Sequence, residues 1–202
     1  MSVALRCESG RGRPYVAGLR AAARRLMSFL GLAACELSVV IADDGFVQAL
    51  NRDFRGKDRA TDVLSFPQLE EVSAGRLLHK ASAGTLMPDP ESALGDVVIS
   101  VDTACRQARR MRLAPAARIR TLLVHGVLHL LGFDHERSPA EARRMFARER
   151  ELAAALRRAD RESRRRRQRA RAGSRAAAPF PARKAGPRGA GAVRQSKRAG
   201  SK

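Results

Sequence analysis

Three of the chain's four histidines fall within eleven residues, at H-x3-H-x5-H spacing, in His125-Gly126-Val127-Leu128-His129-Leu130-Leu131-Gly132-Phe133-Asp134-His135. Imidazole is a metal ligand, and on a helix positions i and i+4 share one face, so His125 and His129 aim ring nitrogens at a common point about 2.0 Å from an ion. Gly132 stands where that helix can end in the left-handed conformation that glycine adopts without steric cost, turning the chain so that His135 supplies a third ligand. Three imidazoles suit one zinc ion per chain and leave a coordination position open. An open position marks a catalytic site, since structural zinc is usually closed by four protein ligands and is rich in cysteine. A lone histidine on an apolar helix is ordinarily a packed or surface residue, but three at ligand spacing point to metal. Asp134, beside His135, is a candidate to hold an imidazole tautomer or a water at the metal by hydrogen bond, and can equally cap the next segment or face solvent.

The spacing, glycine included, matches the extended zinc-protease motif H-E-x-x-H-x-x-G-x-x-H with one difference. Gly126 stands where the protease carries its glutamate, the general base for the attacking water, so a peptidase mechanism lacks a central part. A second chemical segment runs from Leu50 to Asp62, where Arg52, Arg55, Lys57 and Arg59 crowd a short stretch around Gly56. Arginine grips phosphate bidentately and lysine adds a point charge. Asp53, Asp58 and Asp62 partly neutralise these cations, and composition alone favours a solvated charge run.

The elements that must position these residues follow from periodicity and punctuation. Pro14 to Leu32 has apolar residues at helical spacing between arginines, and Glu36 to Ala42 is a β-branched strand. Asp43-Asp44 caps a helix to about Phe54; Asp62–Phe66 and Asp96–Val101 are two further strands. Residues 68–93 form a loop carrying Gly75, Gly84, Pro88 and Pro90, in which His79 is a surface side chain. Asp102 caps a helix to about Leu113, Pro115 begins the helix of His125 and His129, and Pro139 begins a last one through Leu156. Strands and helices mixed without strict alternation predict an α+β class, a single compact domain over residues 1–156 with a small mixed sheet packed on helices.

The net charge of +20 is unevenly placed, because residues 157–202 hold 17 Lys/Arg against 2 Asp/Glu. That segment is a basic Arg/Ala/Gly/Pro-rich tail, expected to be disordered from about residue 170 and to attract polyanions such as RNA or ribosomes without sequence preference. Cys7, Cys35 and Cys105, odd in number and without a C-x-x-C pair, are expected as reduced thiols of a cytoplasmic protein. No apolar stretch predicts a leader or a membrane span.

Three stretches together resemble the YbeY family of bacterial zinc-dependent endoribonucleases, also described as rRNA maturation factors. They are Leu50-Asn51 through Phe54-Arg55-Gly56-Lys57-Asp58 to Thr61-Asp62-Val63-Leu64-Ser65-Phe66-Pro67; Leu94-Gly95-Asp96-Val97-Val98-Ile99-Ser100; and His125-Gly126-x-x-His129-Leu130-x-Gly132-x-Asp134-His135. Glycine after the first histidine belongs to that family's pattern. The resemblance implies a single α+β domain, zinc on the three histidines, and cleavage of single-stranded RNA. It further implies work on ribosomal RNA, including maturation of the small-subunit rRNA 3′ end, and ribosome quality control. The family's functionally important arginine falls on Arg55, which makes Arg55 a phosphate-facing residue, with Lys57 and Arg59 as companions in substrate binding. The nucleophile and general base stay open between Asp134, water activated at the metal and the RNA's own 2′-OH. Two other classes remain, a non-catalytic zinc-containing ribosome-assembly factor and a metalloprotease.

Overall fold

Alternating and continuous apolar runs build a four-stranded sheet among the described residues, 2–68 and 93–176, of the computed structural model. The strands are β1 (Ser2–Cys7), β2 (Glu36–Ala42), β3 (Val63–Pro67) and β4 (Ala93–Ser100), in the order β1-β2-β4-β3. The β1–β2 and β2–β4 pairs are parallel and β3–β4 is antiparallel, so the sheet is mixed. The helices are a 3-10 turn (Gly10–Tyr15), α1 (Val16–Phe29), α2 (Asp44–Arg55), α3 (Val101–Arg110), α4 (Pro115–Leu130) and α5 (Pro139–Ala176).

The central strands are apolar on both sides because both faces are covered. Leu37, Val39 and Ile41 of β2 and Val97 and Ile99 of β4 join one core with Leu26 and Met27 of α1, Leu123 and Val127 of α4, and Met145, Leu152 and Leu156 of α5. On the other side Val40, Leu64 and Val98 pack with Val47 of α2 and, partly buried, Phe46, Leu50 and Phe66. Side chains of this size contribute about 1.5–3 kcal/mol each when fully buried, so α4, with Ile119, Leu122, Leu123, Val124, Val127, Leu128 and Leu130 inside, is held chiefly by packing. Gly95 lets β4 approach β3, since its φ is 131° and a Cβ there would lie 2.2 Å from the Phe66 carbonyl oxygen.

The α+β class, the mixed sheet, β2 with its bounds, the Asp43 cap and the helix starts at Pro115 and Pro139 agree with the sequence. Other expectations are corrected. β1 was not foreseen, although Val3, Leu5 and Cys7 alternate with Ala4 and Arg6. The helix begun at Pro14 is a 3-10 turn containing Pro14, followed by α1 from Val16. Ser100, not Asp102, caps α3 by accepting the Thr103 N–H; Asp102 instead accepts from Arg11 and from the Asp44 N–H. The last helix does not stop at Leu156, its final buried apolar residue, but continues to Ala176, because arginine, alanine and glutamate sustain a helix by propensity alone.

The chain divides into two units, Met1–Glu162 and Ser163–Lys202, and all candidate site residues lie in the first. The tail, expected to be disordered from about residue 170, is instead helical to Ala176; the rest of that expectation and most of the loop expected at 68–93, with His79, lie outside the described residues. The three cysteines are free. Among the described residues no helix is long and apolar enough to cross a membrane.

Candidate functional site

Helix α4 starts with proline at its first turn and ends where Gly132 takes a φ of 82°, its N–H donating to the His129 carbonyl while the Phe133 N–H donates to the Leu128 carbonyl. This reversal, which only glycine makes cheaply, carries His135 back over the helix. The ring centroid of His135 then lies 5.1 Å from that of His125 and 5.2 Å from that of His129, which are 4.7 Å from each other. One ligand atom from each of the three histidines falls within 4.8 Å of the others.

The donor set fits a metal ion. His129 Nε2 and His125 Nε2 are 3.1 Å apart, close to the spacing of about 3.3 Å between ligands of a tetrahedral zinc with bonds of about 2.0 Å. His135 Nδ1 is buried and has no hydrogen-bond partner among the described residues, the situation expected of an atom whose partner is a cation. Burial, and then the neighbouring His125 and His135, push the His129 pKa down to about 4, against smaller upward effects of Asp134 and the Phe133 backbone. His129 is therefore neutral at physiological pH, the form that ligates metal.

His125 is oriented from outside the motif. Its Nδ1 lies 2.8 Å from Glu149 Oε2, and Nε2 is the nitrogen turned toward His129. Glu149 was not foreseen. It sits on α5 in line with Met145, Leu152 and Leu156, all buried, and a carboxylate on an apolar seam was the available signal. Asp134, considered for holding an imidazole or a water at the metal or for capping the next segment, lines the cleft and caps that segment. Its Oδ1 accepts the Glu136 N–H at 2.8 Å and its Oδ2 lies 3.3 Å from Arg137, and the Glu136 N–H foremost, with nearby positive charge, lowers its pKa against a smaller upward effect of burial.

The histidines open onto a cleft of about 760 Å³ whose walls include Arg55, Phe54, Asp62, Ser65, Phe66, Arg118, Asp134 and Glu149. Arg55 is the last residue of α2. The helix is stopped by Gly56 with a φ of 63°, and the following loop is tied back by Asn51, whose Nδ2 donates to the Arg59 carbonyl at 2.7 Å. Arg55 is exposed and forms no ion pair among the described residues. Lys57 and Arg59 are exposed too, but they are not among the cleft-lining residues. Arg118, a cation the sequence did not single out, lines the cleft from α4, with Nε donating to Gln107 Oε1 at 2.7 Å and Nη2 3.1 Å from Asp62 Oδ2.

Gly126 faces the sheet rather than the cleft. A Cβ there would lie 2.7 Å from Val97 Cγ1 and 3.1 Å from Ser65 Oγ, and Ser65 donates to the Gly126 carbonyl at 3.1 Å. A glutamate has no room at this position, so the general base of a zinc peptidase is excluded by packing as well as by sequence.

A family model described as Endoribonuclease YbeY matches residues 15–157. The chain is 48% identical over 155 residues to an Endoribonuclease YbeY of Anaeromyxobacter sp. (strain Fw109-5), covering 77% of this chain and 72% of that one. It is 46% identical over 139 residues to the Endoribonuclease YbeY of Geobacter sulfurreducens, covering 68% and 84%. The solution structure of a Thermotoga maritima protein matches with a TM-score of 0.54 at 21% identity, over 80% of this chain and 93% of that one, a likeness of fold.

Proposed function

The chain belongs to the YbeY endoribonuclease family and is an endoribonuclease, and from that membership we propose that it cuts single-stranded ribosomal RNA with a zinc ion held by His125, His129 and His135. The work proposed for it is maturation of the small-subunit rRNA 3′ end and ribosome quality control, in the cytoplasm and in contact with the ribosome or its small subunit. The observation that carries the reading is the convergence of three imidazoles in one cleft with Arg55 on its wall.

When bound, zinc supplies Lewis-acid chemistry, drawing charge from a phosphoryl oxygen and making water a stronger nucleophile at neutral pH. The rest is done by the chain's own side chains. Glu149 accepts a hydrogen bond from the His125 Nδ1–H and so fixes the tautomer that presents Nε2. Arg55, without an ion pair among the described residues, closes its fork on the non-bridging oxygens of the scissile phosphate and stabilises the charge that grows there in the transition state. Arg118 adds positive charge from a position fixed by Asp62 and Gln107, so it needs no reorganisation as the reaction proceeds. Lys57 and Arg59, outside the cleft wall, serve by attracting flanking phosphates.

The test is cleavage of a labelled single-stranded rRNA fragment by purified, metal-quantified protein beside folded His129→Ala and Arg55→Glu proteins. Loss of cleavage in both variants, and loss in the wild type on chelation with recovery on adding zinc, is the expected result. Equal cleavage by all three overturns the reading.

A further inference from the structure

Phe54 is 68% exposed, the largest exposure among the large apolar side chains of the described residues. It stands on the last turn of α2, directly before Arg55, and both line the cleft that holds the three histidines. Its ring is not loose. Phe66 of β3 meets it edge to face, with ring centroids 5.2 Å apart and planes at 70°, and Phe66 is itself packed on the core beneath α2. An aromatic ring held in place at its edge while most of its surface is open to water is unfavourable for the free protein, since burial of a phenylalanine is worth about 1.5–3 kcal/mol.

From this placement we infer that Phe54, buttressed by Phe66, is a stacking platform for one nucleobase of the RNA strand, next to the phosphate that Arg55 holds. The inference rests on the endonuclease reading above. A nucleic acid strand presents phosphate and base in alternation, and here a cation and an open aromatic ring occupy consecutive residues on one cleft wall. Recognition by base stacking on aromatic side chains, alongside cations that track the backbone, is how single strands are bound. The base must be unstacked to reach the ring, so a base-paired strand cannot use the platform. Phe54 thereby links cleavage to single-strandedness without reading sequence, because every base has a π-face.

The experiment uses the metal-loaded full chain and a single-stranded RNA with one cleavage position, together with versions of it that carry one abasic nucleotide on either side of the scissile phosphate. Phe54→Ala and Phe54→Leu are expected to lower kcat/KM on the intact RNA by roughly 5- to 100-fold, with Phe54→Trp close to wild type. An abasic nucleotide on one side should cost the wild type a similar factor and cost Phe54→Ala nothing more, since the interaction is already lost. So exposed a position tolerates these changes without unfolding, and zinc content reports that the histidine site is intact. Equal kcat/KM for all variants overturns the platform and leaves the endonuclease reading standing. A loss in Phe54→Ala that simply adds to the abasic penalty also overturns it, showing a ring that only props Phe66. Absence of chelator-sensitive cleavage in the wild type overturns the endonuclease reading and the platform with it.

Discussion

Replacing Gly126 with alanine adds one methyl group at the joint between α4 and the sheet, where there is no space for it. The new Cβ would lie 2.7 Å from Val97 Cγ1, 3.1 Å from Ser65 Oγ and 3.3 Å from Val63 Cγ2. Carbon atoms pack at about 3.5–4.0 Å, so Val97 or the helix must yield by roughly 1 Å. Val97 is fully buried and stiff at its branched β-carbon, and overpacking of this kind costs about 1–3 kcal/mol. Moving the helix also strains the hydrogen bond from Ser65 to the Gly126 carbonyl, worth about 1 kcal/mol. Against these stands the helix propensity gained on replacing glycine, about 0.8–1.0 kcal/mol. The net expectation is a loss of about 1–3 kcal/mol, or several degrees in Tm at about 2–4 °C per kcal/mol for a domain of this size. Urea unfolding followed by circular dichroism at constant m-value measures it. In a Val97→Ala background the tightest contact is gone and only the approaches to Ser65 Oγ and Val63 Cγ2 at 3.1 and 3.3 Å remain, so the same glycine-to-alanine change should cost about 1 kcal/mol less than in the wild type, or nothing. A Gly126→Ala protein as stable as its parent, with no coupling to position 97, refutes the reasoning.

Glu149→Ala should lower zinc affinity by about 10- to 100-fold in competition with a chromophoric chelator, with Glu149→Gln in between because an amide oxygen still accepts from His125; unchanged affinity in both would remove Glu149 from the site. Asp44 governs part of the acid stability. Burial raises its pKa, but hydrogen bonds from Arg106, Ser100 and Thr103 outweigh burial and hold it at about 2, below the ordinary 3.8. Its contribution is thus present above the unfolded-state pKa and is lost as pH falls toward about 2; Asp44→Asn should cost on the order of 1 kcal/mol near neutral pH, after allowance for solvent screening, and flatten that acid limb in pH-dependent melts. Residues 163–202 hold 14 Lys/Arg and no Asp/Glu. Truncation after Glu162 keeps Asp160, which pairs with Arg25 and Arg120, and should leave zinc content unchanged while lowering the slope of log K against log salt for single-stranded RNA by about 3 if only about four of those cations meet phosphates. An unchanged slope would show the segment to be a bystander.

The cluster of three histidines was legible because it obeys local rules. Helical i,i+4 geometry sets His125 against His129, and a single glycine decides where the chain turns to deliver His135. Likewise Asp43, Pro115 and Pro139 announce helix starts through groups that no tertiary contact need supply. What was not legible depends on packing between distant segments. Nothing near His125 in sequence identifies Glu149 as its partner; that contact exists because α5 lies against α4 along Met145, Leu152 and Leu156. Arg118 reads as one more surface arginine until β3 brings Asp62 to it. The edge strand β1 is six residues long and has polar Arg6 on it, so its pairing with β2 outweighs a weak local signal. The last helix ran past its expected end because the apolar period stopped while helix propensity did not.

This division has a consequence for how the site tolerates change. The three histidines come from one continuous segment, yet the groups that make them useful arrive from three other elements: Arg55 from the end of α2, Ser65 and Phe66 from β3, and Glu149 from α5. Gly126 is the point at which those contributions are brought into register. It lets α4 sit close enough to Val97 and Ser65 that the cleft wall built on β3 faces the histidines, and the residue before it is His125, which Glu149 orients. A side chain at 126 is therefore expected to push the histidine segment away from the cleft wall that carries Ser65 and Phe66, even where the fold survives. The glycine that stands where a zinc peptidase has its general base is thus the close-packing point that sets His125 against the wall on which the proposed phosphodiester chemistry relies.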